Sequence, residues 1–122
     1  MSETVNNVDR IEPVKITYTP TNEEYILDFS RESAVFAQER GFSTDEIYTK
    51  PTVLIPALFF FSLRKNHRSI AKNQADKLFE KLFPNGMPKA VLQRLIELFD
   101  QASLIGILED EEGKNSETVV EL

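Results

Sequence analysis

The sequence has no cysteine, no tryptophan and a single histidine among its 122 residues. Without cysteine there is no disulfide scaffold, no thiolate metal site and no cysteine nucleophile. With His67 alone and no thiol, a zinc centre lacks its usual donors. Glycine is scarce, four in all. None forms a glycine-rich phosphate loop, and no serine lies in a G-x-S-x-G elbow. The expectation is therefore a protein with no catalytic residue, no metal and no cofactor. Positive charge is also in deficit. Fourteen Lys and Arg stand against twenty Asp and Glu, for a net charge of -6. That balance argues against a nucleic-acid partner, which would call for a basic surface. Long apolar runs are missing as well. The longest, Val53 to Leu63, falls short of the ~20 residues that span a membrane, so no membrane partner is expected. Nor does "MSETVNNVDRIEP" show the basic-then-apolar pattern of a secretory signal.

What is present reads as one domain between two polar ends. Residues 1–12 are expected to be a flexible arm, 13–108 a single folded domain, and 109–122 a disordered acidic tail. "VKITYTP" alternates, with Val14, Ile16 and Tyr18 on one side. "YILDF" alternates again through Tyr25, Leu27 and Phe29. The polar "PTNEE" between them, with Glu23 and Glu24, reads as a turn, so the start of the chain is a predicted β-hairpin. A first helix follows, with Ser30 as N-cap, Gly41 as C-cap, and Ala34 and Ala37 as a small-residue face. "STDE" has the spacing of a capping box from Ser43 to Glu46, before a helical turn carrying Ile47 and Tyr48. A longer helix starts near Pro51, where proline suits the first turn; Pro56 kinks it or resets its start. A third helix puts Ala71, Ala75, Leu78, Phe79 and Leu82 on one face. "PNG" ends it, and Pro88 opens a fourth, with Val91, Leu92, Leu95, Leu98 and Phe99 inward. Hairpin first and helices after gives an α+β fold: a β-hairpin packed on a bundle of about four helices.

The segment "PTVLIPALFFFSLRKNH" raises the functional question. Three stripes run along its helix: Leu54, Leu58 and Phe61; Ile55, Phe59 and Ser62; Val53, Ala57 and Phe60. A helix apolar nearly all round is buried on most sides. Three consecutive phenylalanines, about 100° apart, fan over more than half the circumference. Phe59, Phe60 and Phe61 therefore cannot all point inward, and at least one should reach a partner or a sister copy of the chain. Arg64 and Lys65, in the basic cluster "RKNHR", are the adjoining candidates. The alternative is that the phenylalanines are wholly core and the cluster a charged helix end matched to the helix dipole. His67, at the same polar helix end, is expected to be structural or merely exposed, interacting with the helix dipole.

The order of four landmarks carries a resemblance: "FSR" at 29–31, "ERGF" at 39–42, "IPALFF" at 55–60 and "QADKL" at 74–78. Over residues 14–103 the chain resembles the small tail assembly chaperones of siphophages and prophages of Gram-positive bacteria. The resemblance implies a non-enzymatic role in virion morphogenesis. It implies binding to the long apolar tape measure protein in the host bacterial cytoplasm, until tail tube protein polymerises around it, and absence from the mature virion. It also implies a second, longer form made by frameshifting, for which Lys114-Asn115 offers a slippery codon pair. The rival reading is a structural head–tail connector or tail-completion protein. Partner contacts would fall on Phe59, Phe60, Phe61, Arg64 and Lys65, with self-association into a homo-oligomer on the same apolar surface.

Overall fold

The computed structural model describes residues 11–104, so the expected tail, its slippery codon pair and most of the expected arm lie outside the described residues. Two strands, β1 (Val14–Tyr18) and β2 (Glu23–Leu27), precede four helices: α1 (Arg31–Glu39), α2 (Pro51–Leu63), α3 (Lys72–Leu82) and α4 (Lys89–Leu104). The α+β fold, a hairpin on a four-helix bundle, is the one expected.

The strands pair antiparallel, Val14 with Leu27, Ile16 with Tyr25 and Tyr18 with Glu23. Glu23 and Glu24 therefore belong to β2 and not to the turn. The turn is the shorter 19–22 stretch, held by the Thr21 and Asn22 amides donating to the Tyr18 carbonyl at 3.2 and 2.7 Å. Asn22 adopts φ 61, a left-handed conformation that asparagine tolerates better than most residues. Leu27 and Phe29 are buried, and Val14, Ile16 and Tyr25 pack against the core from the same face. The core reaches into the expected arm: Ile11 packs on it, and the Glu12 carbonyl accepts from Arg94 Nη1 at 3.1 Å.

Ser30 caps α1. Its hydroxyl accepts from the Ser33 amide at 3.2 Å, and Ser33 Oγ accepts from the Ser30 amide at 2.8 Å. This is a capping box with a second serine in place of the usual Glu or Gln. The helix ends in a Schellman motif. The Gly41 amide donates to Gln38 O at 2.9 Å and the Phe42 amide to Ala37 O at 3.1 Å. Gly41 has φ 82, open to glycine at little cost. Phe42 is thereby aimed inward, with its ring 5.2 Å from both Phe61 and Phe99. The expected Ser43 box forms differently. Ser43 Oγ accepts from the Asp45 amide, two residues on, and Glu46 pairs with Lys50 instead. The stretch stays a series of turns, with Ile47 buried and Tyr48 exposed.

Pro51 opens α2, and Pro56 sits inside it without breaking it. The bond lost at Pro56 would have gone to the carbonyl of Thr52, an exposed residue that water can serve. Below that point α2 is the centre of the molecule. Leu58, Phe59, Phe61, Ser62 and Leu63 are buried. The ring of Phe59 meets Phe79 of α3 and Phe83 just beyond it, at 5.6 and 5.8 Å. Leu92, Leu95, Leu98 and Phe99 of α4 close the core, and the Phe99 ring stands edge-on to Phe29 at 5.3 Å. In α3, Ala75 and Leu78 are buried, but Ala71 is the exposed N-cap and not part of the inner face.

Candidate functional site

The basic cluster after α2 holds the hairpin. Lys65 Nζ lies 2.7 Å from Oδ2 of the buried Asp28, whose Oδ1 accepts from the Phe29 amide. Arg64 and Arg68 both pair with Glu32 of α1, at 2.9 and 3.3 Å, and this holds the Glu32 carboxyl below the usual range. The Arg64 guanidinium stacks on the Phe36 ring at 3.7 Å, and that of Arg40 at 3.6 Å. Thus Arg64 and Lys65, expected to be partner residues, are both occupied within the chain.

Asn66 and His67 serve the free edge of β2. The Ile26 amide donates to His67 Nε2 at 2.9 Å, the Asn66 side-chain amide donates to Ile26 O at 3.5 Å, and the Asp28 amide donates to Ser62 O at 3.0 Å. A sheet edge that would otherwise present unpaired groups is covered by the end of α2. Because a backbone N–H can only donate, Nε2 must be unprotonated and the proton must sit on Nδ1. Burial agrees, lowering the His67 pKa below its ordinary value. A histidine with a depressed folded pKa favours the fold above its unfolded pKa, near 6.5. That contribution fades as the pH drops below this value and through the lower folded one. The melting temperature should therefore be level above about pH 7 and decline below about pH 6.5. His67→Gln, with a non-titrating acceptor, should flatten that part of the curve. An identical decline in both proteins would show that His67 is not responsible.

The three phenylalanines divide as their angular spread requires. Phe59 is fully buried, Phe61 is 6% exposed, and Phe60 is half-buried at the surface. Phe60 lies on the stripe of Val53 and Ala57, with Pro56 beside it and Arg64 one turn on. Val53 is 68% exposed, and Pro56 and Ala57 are half-buried. This apolar strip runs roughly 16 Å along α2, at 1.5 Å per residue from Val53 to Arg64. At its start a groove of about 330 Å3 lies between α2 and α3, lined by Thr52, Val53, Pro56, Phe79 and the charged Lys72, Asp76 and Glu80. At its end a wider groove of about 650 Å3 includes Val35 and Phe36 of α1 and Arg64. An apolar floor with charged rims suits an amphipathic helix laid along it. Val53, Pro56 and Phe79 were not picked out as site residues from sequence. The Val53–Ala57–Phe60 stripe was visible there, but nothing set it apart from the two stripes that are buried.

Along residues 1–122 the chain matches the family described as "Domain of unknown function (DUF5055)". No curated protein and no solved structure matches it.

Proposed function

The chain belongs to the DUF5055 family, and we propose that this member is a non-enzymatic tail assembly chaperone that holds a phage tape measure protein in solution. The observation that carries the proposal is the outer strip of α2. Within the most apolar segment of the chain, Val53 stays 68% exposed, and Pro56, Ala57 and Phe60 beside it are only partly buried. The outward part of such a strip adds nothing to the fold, whereas a holdase needs it. The tape measure, long, apolar and helical, would present repeated apolar faces to the strip between the α1 and α3 grooves. Weak contacts of this kind, repeated along its length, keep a helix soluble and still release it to the polymerising tail tube protein. The chaperone then acts in the host bacterial cytoplasm and leaves the virion.

Co-expression provides the test. The tape measure protein of the same phage or prophage should be soluble with the wild-type chain and largely pelleted with Val53→Glu. That variant should melt within about 3 °C of wild type, because surface changes alter stability by no more than about 0.5 kcal/mol. Solubility unaffected by Val53→Glu would remove α2 from the contact. Finding the chain in purified virions would favour a structural connector or tail-completion role instead.

A further inference from the structure

The hairpin has two edges, and the structure treats them differently. On β2, the Ile26 and Asp28 amides point away from β1, toward His67 and Ser62. Leu27, Tyr25 and Glu23 therefore face β1, where they pair with Val14, Ile16 and Tyr18. Strand geometry then turns the N–H and C=O of Lys15 and Thr17 toward the other side, the outer edge of β1. Among the described residues no hydrogen bond reaches those four groups. One edge is sealed by the RKNH segment, and the other has no partner among the described residues.

We propose that the outer edge of β1 pairs antiparallel with β1 of a second copy of this chain, joining two hairpins into one four-stranded sheet. The strand is complementary to itself about Ile16. With Ile16 opposite Ile16 of the second copy, Lys15 falls opposite Thr17 and Val14 opposite Tyr18. Lys15 and Thr17 then exchange both backbone hydrogen bonds, on each side of the two-fold axis. Val14, Ile16 and Tyr18, each half-buried in one copy, gain cover from the second. No like charges stand directly opposite each other across the joint. Lysine on an edge strand commonly blocks such pairing. Here, however, Lys15 Nζ is drawn back over the sheet to Glu24 on β2, 3.6 Å away. The pairing is independent of the tape measure contact, which lies on α2.

Thr17 tests the register with opposite outcomes. Thr17→Glu places a carboxylate opposite Lys15 of the second copy, twice per dimer, and Thr17→Lys places like charges there. Sedimentation of the full chain should show reversible association that strengthens in Thr17→Glu and weakens in Thr17→Lys, each by about three- to tenfold. Fold stability should move the other way. Thr17 pairs with Glu24 within its own hairpin, so lysine there should raise the melting temperature and glutamate lower it. That inversion separates association from damage to the fold. The Lys15 and Thr17 amides should also gain protection from hydrogen exchange as concentration rises. Equal association by both variants overturns the proposal, as does a wild-type chain that stays monomeric to about 1 mM. Protection that is the same at all concentrations also overturns it, because the edge would then be covered within a single chain.

Discussion

Leu58→Asp is expected to leave no folded protein. Leu58 is fully buried at the middle of α2, and the helices and hairpin gather around that part of the chain. An aspartate there sits inside the hydrophobic core, shut off from solvent. It must either carry its charge into an apolar interior or take up a proton, and it also leaves the volume of the leucine unfilled. A loss on the order of 5 kcal/mol is expected, comparable to the whole stability of a small domain. Circular dichroism should show a broad, non-cooperative trace in place of a melting transition. A cooperative transition near the wild-type temperature would show that α2 is not the centre of the core.

The second large effect is a contrast among three adjacent residues. Phe59→Ser removes a ring set between Phe79 and Phe83, and Phe61→Ser removes one packed against Phe36 and Phe42. Each should cost about 4 kcal/mol, in the range for emptying a buried aromatic site. Phe60→Ser removes a half-covered ring and should cost about 1 kcal/mol. Urea midpoints would rank them, with Phe60→Ser near wild type and the others far below. In co-expression, Phe60→Ser should nonetheless lose tape measure solubilisation, since exposed aromatic anchors carry interfaces. Three equal midpoints would contradict the assignment of Phe60 to the surface.

Much of the fold was legible because local chemistry and tertiary packing agree in this chain. The alternation of "VKITY" and "YIL" gave the strands, and Ser30 and Gly41 marked the two ends of α1. The even spacing of Leu92, Leu95 and Leu98 fixed the inner face of α4. The departures are equally local. Glu23 and Glu24 look like turn residues, but four residues suffice to close the hairpin. Both glutamates then join the strand, where Lys81 and Lys15 meet them at 3.4 and 3.6 Å. Ser43 had a nearer amide to serve than the one its spacing suggested.

The site was less legible for a physical reason. α2 is apolar on every side, so periodicity cannot say which of its stripes faces out; only the placement of α1, α3 and α4 decides. The basic cluster was harder still. Charges after an apolar helix commonly serve solubility or the helix dipole. That Lys65 would reach Asp28, and His67 the backbone of Ile26, depends on contacts 37 and 41 residues apart in sequence.

The proposed contact joins the outer strip of α2 to the tape measure protein. A photoactivatable phenylalanine analogue at position 53, in cells making both proteins, tests it most directly. Illumination should yield a crosslinked species recognised by antibodies to both, while the same analogue at exposed position 73 on α3 should yield little. Strong crosslinking from position 73 and none from position 53 would contradict the account.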